Sequence, residues 1–207
     1  MKLVAYPGSF SKSIKNMLAE VNVNITWILT EKDARICKFD RLLLLGGADI
    51  WQGFYTPNEK KIAPSLRDCI ESRLLVRAQE GNIPTLGICR GHQLIAAMNG
   101  AQLIQNINRA AHEHPIIPCY HQLGYIAKRN IFTIPPLVNS LHHQAAAVCP
   151  SGFRVMAKAL DGTIEAIVSN DELTAGVQFH PEAMYDSIME AAPLLWLLRG
   201  PSQTGGD

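Results

Sequence analysis

A chain of 207 residues is long enough to bury a substantial core and suits one domain of ordinary size. Hydrophobic residues make up 47% and charged residues 18%, and 19 Lys plus Arg against 18 Asp plus Glu leave a net charge of +1. That balance argues against a nucleic-acid partner, which would call for a surplus of basic charge. Five scattered cysteines (Cys37, Cys69, Cys89, Cys119, Cys149), none in a C-x-x-C pair, are no disulfide framework and point to a reducing compartment.

In chain order, residues 3–6 read as a short strand closed by Pro7-Gly8, too soon for a signal-peptide core. A helix is expected over 11–20, with Ile14, Met17 and Leu18 on one side, and a β-rich run over 23–29. The apolar run Leu42-Leu43-Leu44-Leu45, ended by Gly46-Gly47, has the pattern of a strand buried on both faces. Ser65 caps a helix expected to reach Glu80, with Asp68 three residues on, apolar residues at Leu66, Ile70, Leu74 and Ala78, and Gly81 as the stop. On its polar side Arg67 with Glu71, and Arg73 with Arg77, read as a solvated face. A strand over 83–89 and a helix over 90–99, stopped by Gly100, follow. The second half holds short β-like runs at 101–107, 123–127, 153–159, 164–169 and 175–179. A last helix, expected to start near Glu182, contains Pro193, which should kink or split it. The apolar run from Leu194 to Leu198 suits either a cover for the core or a homodimer contact.

Alternating strand and helix signals imply an α/β fold, a mostly parallel central sheet flanked by helices. With no repeat or linker, residues 1–200 read as a single domain and 201–207 as a flexible Gly-containing tail. No apolar run approaches the ~20 residues of a membrane span, so a cytoplasmic protein with no membrane partner is expected.

The chemistry concentrates in two segments. In Gly87-Ile88-Cys89-Arg90-Gly91-His92-Gln93 a cysteine stands between a buried strand and a helix, with glycines two positions away on either side. This is the layout of a nucleophile elbow with Cys in place of Ser, in which the helix N-terminus stabilises the thiolate. A structural cysteine at a tight turn is the alternative. In Gly176-Val177-Gln178-Phe179-His180-Pro181-Glu182 a β-run ends in a histidine followed two residues later by a carboxylate. Pro181 restricts the backbone so that His180 and Glu182 can leave the strand end together. If both strands are parallel and end at one sheet edge, His180 meets Cys89 while Glu182 orients the imidazole. His112-Glu113-His114 and Cys119-Tyr120-His121 raise the question of zinc, but the one-residue spacings do not match zinc motifs and no metal is expected. Neither G-x-x-x-x-G-K-[ST] nor G-x-G-x-x-G after a strand is present, so no nucleotide site is expected.

With these segments the chain resembles the class I glutamine amidotransferase-like superfamily, specifically its gamma-glutamyl hydrolase branch. The matching residues are Gly46-Gly47-Ala48-Asp49-Ile50 with Tyr55, then Arg67-Asp68, Pro84 to Gln93, and Val138 to Gln144. Asp161 to Ala166 and Gly176 to Glu182 complete the series. The resemblance implies a flavodoxin-like sheet, Cys89 as nucleophile, His180 as base, Glu182 as third member, and the backbone N–H groups of Gly47 and Arg90 as an oxyanion hole. It implies a substrate pocket lined by Gln93, Asn139, Ser140, His142 and His143, with His142 either donating to a substrate carboxylate or packed as a histidine beside the site. The implied reaction is cofactor-free hydrolysis of a small gamma-glutamyl amide. Two other readings are a glutaminase subunit passing ammonia to a separate synthetase, and a non-catalytic module that binds gamma-glutamyl ligands. The chain departs from the family pattern at Leu45, at Trp51-Gln52-Gly53-Phe54 and in the short segment 7–30, the side on which the leaving group would lie.

Overall fold

In the computed structural model, residues 1–56, 63–107 and 119–200 are described. The first half lays down β1 (Leu3–Ala5), α1 (Ser11–Ala19), β2 (Ile25–Trp27), α2 (Glu31–Ile36), β3 (Arg41–Leu44), α3 (Leu66–Glu80), β4 (Thr85–Ile88) and α4 (Arg90–Met98). The second half is richer in strand: β5 (Leu103–Ile104), β6 (Cys119–Ile126), β7 (Leu137–Ser140), β8 (Ala145–Ala146), β9 (Phe153–Ala159), β10 (Ile164–Ser169) and β11 (Thr174–Val177), before α5 (Ala192–Arg199).

Nine strands form one sheet in the order β2-β1-β3-β4-β11-β10-β9-β6-β7, and β5 pairs with β8 in a separate ribbon. The first five run parallel, from β2 to β11. From β11 onward each neighbour is antiparallel. The parallel part has the 2-1-3-4-5 order of a flavodoxin-like sheet, which places ligand sites at the carboxyl ends of its strands.

The apolar runs work by alternation. Leu43, Leu45, Leu86 and Ile88 join Ile14, Met17, Leu18, Trp196 and Leu197 in one core, so α1 and α5 cover that face. Leu42 and Leu44 point the other way, into a second core with Ile70, Leu74, Leu94 and Ile95 of α3 and α4. A period of two distributes one continuous apolar run between two helix layers. The run from Leu194 to Leu198 covers the core: Leu194, Trp196 and Leu197 are buried there, with Leu195 and Leu198 packed beside them.

Three expectations need correction. No helix starts at Glu182; a short 3-10 turn, Pro181–Ala183, stands there, and α5 begins at Ala192 with Pro193 in its first turn. A proline in the first turn lacks only an N–H that would have no helical partner, so Pro193 opens the helix instead of splitting it. The run at 101–107 shrinks to the two residues of β5. Arg67 and Glu71 are no solvated face, since Glu71 is fully buried and the Arg67 side chain is only 15% exposed. The 201–207 tail and His112-Glu113-His114 lie outside the described residues.

Candidate active site

The turn between β4 and α4 is made by Cys89 itself, at φ 51° and ψ −104°. That conformation is costly for an L-residue, on the order of 1–3 kcal/mol, and recurs where a side chain must be presented to a site. Gly87 and Gly91 do not bend the chain; they permit close approach. A Cβ on Gly87 would stand 2.5 Å from the Gly91 carbonyl carbon, and one on Gly91 would collide with the Leu44 carbonyl. The elbow therefore packs directly on β3.

β11 pairs with β4 in parallel, with Val177 opposite Ile88, and the Cys89 N–H donates to the Val177 carbonyl at 2.8 Å. This register ends both strands at one edge and carries His180 to Cys89. His180 Nδ1 donates to Glu182 Oε1 at 2.8 Å, and the imidazole also hydrogen-bonds with Cys89. Cys89, His180 and Glu182 are all buried, between 2% and 5% exposed. Burial alone would lower the His180 pKa; the charge of Cys89 and its hydrogen bond, then the bond and charge of Glu182, overcome this and raise it to about 10. The imidazole of His180 is therefore held in its protonated form beside the Cys89 sulfur at neutral pH.

The backbone of His180 is clamped as well. Its N–H donates to Asn139 Oδ1 at 2.8 Å, and its carbonyl accepts from Asn139 Nδ2 at 2.9 Å. Asn139, expected in the substrate pocket, is instead fully buried in β7 with its amide engaged by the His180 backbone. Gln93 is likewise turned inward, Nε2 donating to the Gln144 carbonyl at 2.9 Å and to Gln178 Oε1 at 3.3 Å. His142 has Nδ1 3.0 Å from the Gln144 carbonyl oxygen and Nε2 3.7 Å from Glu165 Oε1. Its imidazole faces the buried Glu165 carboxylate. Ser140 is fully buried. Of the five, His143 is the most open, bridging the Gln105 carbonyl oxygen and Asp49 Oδ1 at 3.0 and 3.1 Å.

His121 joins His142 on Glu165, at 3.3 Å. Burial would raise the Glu165 pKa, but the hydrogen bonds of His121 and His142 bring it down to about 2. Burial lowers that of His92 nearby to about 4 against the pull of Glu165. Among the described residues, no group of three or more His, Cys, Asp or Glu side chains is placed to hold a metal ion.

Two features at the site escaped sequence reasoning. The Phe10 ring meets the His180 ring edge-on, centroids 5.0 Å apart, from a backbone at φ 56°. Nothing in the pattern of segment 7–30 marked it. The second is the ionic cluster below Gly46-Gly47. Arg90 Nη2 donates to Asp68 Oδ1 at 2.6 Å and Arg90 Nη1 to Glu71 Oε2; Arg67 Nε donates to Glu71 Oε1 at 3.1 Å. Burial lowers the Arg90 pKa, with Glu71 and Asp68 opposing. A topological signal was available here: a helix that follows a parallel strand starts near that strand's carboxyl end, so the first turn of α3 lies beside the site. A cavity of 510 Å³ lies elsewhere, lined by Arg35, Arg73 and Arg77 among others, and shares no residue with this site.

Comparison with known proteins places this geometry in context. Residues 7–182 match a family model described as Peptidase C26. The chain is 34% identical over 170 residues to Protein NtpR of Enterococcus hirae, spanning 74% of this chain and 71% of that protein. It is 30% identical over 164 residues to the gamma-glutamyl-gamma-aminobutyrate hydrolase of Escherichia coli O157:H7, spanning 70% of this chain and 65% of that protein. A solved glutamine amidotransferase from Thermotoga maritima shares the fold at TM-score 0.67 and 19% identity, over 88% of this chain and 76% of that one.

Proposed function

The chain belongs to the Peptidase C26 family, within the class I glutamine amidotransferase-like proteins, and from that premise we propose that it hydrolyses gamma-glutamyl amides through a Cys89 thioester. The observation that carries this reading is the buried relay Cys89–His180–Glu182 at the ends of two adjacent parallel strands. Similarity to the gamma-glutamyl-gamma-aminobutyrate hydrolase of E. coli O157:H7 supports the choice of acyl group.

In this mechanism the Cys89 thiolate attacks the side-chain carbonyl carbon of the glutamyl group. The carbonyl oxygen becomes an oxyanion that accepts from the Gly47 and Arg90 backbone N–H groups, a contribution of roughly 3 kcal/mol per donor. The C–N bond breaks as the His180 imidazolium gives its proton to the departing amine, leaving a gamma-glutamyl thioester on Cys89. Neutral His180 then takes a proton from water, the hydroxide adds to the thioester, and the C–S bond breaks to release glutamate and restore the thiolate. Glu182 holds the imidazole in register throughout.

The test is a panel of gamma-glutamyl amines, gamma-glutamyl peptides and glutamine, with released glutamate measured and intact protein weighed during turnover. The expected result is glutamate release with a transient glutamyl adduct on Cys89, both lost in Cys89→Ala. A fully active Cys89→Ala protein overturns the mechanism. Glutamine hydrolysis seen only with an added synthetase moves the assignment to an ammonia-supplying subunit.

A further inference from the structure

The cluster below Gly46-Gly47 joins both halves of the oxyanion hole. Arg67 Nη2 donates to the Leu45 carbonyl at 2.6 Å and Nη1 to the Gly46 carbonyl at 3.1 Å. The Ser9 N–H donates to the same Gly46 carbonyl at 2.9 Å. Gly46 C=O and Gly47 N–H are the two ends of one planar trans peptide and point in opposite directions. Two donors holding the oxygen therefore set the direction of the N–H. The guanidinium also lies so close to Gly47 that a Cβ there would collide with it, while a Cβ on Gly46 would stand 2.5 Å from His180 Cε1. The peptide thus lies between Arg67 and the imidazole. Glu71 ties Arg67 in place and, with Asp68, ties the side chain of Arg90, whose own backbone N–H is the other proposed donor.

We propose that Arg67 is the positioning residue of the oxyanion hole: anchored to Glu71, its guanidinium clamps the Leu45 and Gly46 carbonyls and so aims the Gly47 N–H at the reacting oxygen. The proposal rests on the thioester mechanism above and adds the part that holds its electrostatics in place. A planar fork suits the task because it spans two successive carbonyls and a carboxylate at once, which an ammonium cannot do.

The experiment compares two reactions of Cys89. Acylation by a p-nitrophenyl ester passes through an oxyanion; alkylation by iodoacetamide displaces iodide at carbon and does not. In Arg67→Met, ester acylation is expected to slow about 10²-fold, the loss seen when one oxyanion donor is removed. Alkylation and the KM for a gamma-glutamyl amide should stay within about threefold. Arg67→Lys keeps the charge for Glu71 but reaches only one carbonyl, so it should show a smaller loss, about tenfold, with the same selectivity. It also serves as the test if Arg67→Met does not fold. Added guanidinium should partly restore acylation in Arg67→Ala. Ester acylation that survives in both Arg67→Met and Arg67→Lys overturns the clamp, as does a parallel fall in acylation and alkylation, which marks a general disturbance of the elbow. Failure of the functional reading looks different: the wild-type protein is acylated by the ester but turns over no gamma-glutamyl amide.

Discussion

His180 combines burial with a charge it would not keep in an apolar environment, because Cys89 on one side and Glu182 on the other outweigh the lost solvation. With its pKa near 10, the imidazolium persists through neutrality and is lost only as pH rises through about 10. In the proposed mechanism the amine then has no proton donor, so the alkaline limb of kcat/KM is expected near pH 10, well above the ordinary histidine value. Glu182→Gln removes the negative charge behind the ring and should move that limb to lower pH; a pH–rate profile of both proteins reads the shift. An unmoved limb assigns it to another group. Cys89, His180 and Glu182 were legible in advance because each sits in a short contiguous motif whose spacing carries the chemistry. Asn139 and Arg67 were legible only as residue types, since their partners are backbone groups 41 and 21 residues away.

Helix α3 shows how an element can be placed correctly and its faces misjudged. The Ser65 cap, the Asp68 return bond and the Gly81 stop are all present as expected, a complete capping box. Asp68 does more than cap: Oδ2 accepts from the Ser65 N–H at 2.9 Å, while Oδ1 accepts from Arg90 and from the Trp51 N–H at 3.2 Å. Cap and ionic cluster thus share one carboxylate. Ser65→Ala should cost about 1 kcal/mol in chemical denaturation. An i,i+4 pair such as Arg67 and Glu71 looks the same in sequence whether water or a glycine turn lies above it, so its burial had no local signal. Short elements were missed for a related reason. Helix α2 buries only Ala34, and β7 has four residues, too few for any period to appear.

Across the molecule, a parallel half supplies Cys89 and His180, and an antiparallel extension supplies Asn139, whose strand β7 is the far edge of the sheet. The site therefore depends on both halves being docked. Helix α5 closes one core, and Leu197 within it is fully buried. Leu197→Ala should destabilise by roughly 2–5 kcal/mol. At about 2–4 °C per kcal/mol for a chain of this size, a thermal melt would register a large drop. A drop within error would place Leu197 outside the cooperative core. Among the described residues no helix is long and apolar enough to cross a membrane, in line with the absence of any long apolar run. The α/β class and the mostly parallel sheet were implied by alternating strand and helix signals, because those signals act between neighbours along the chain; the strand order came from the packed sheet. The meeting of Cys89, His180 and Glu182 followed from local motifs for the same reason. The Arg67 bonds to the Leu45 and Gly46 carbonyls, the clamp on His180, the pairing of His142 with Glu165 and the packing of Leu194 to Leu198 against the core are long-range outcomes. They depend on which carbonyls, carboxylates and apolar surfaces the packed sheet brings together, and a buried polar group takes whichever partner the fold presents.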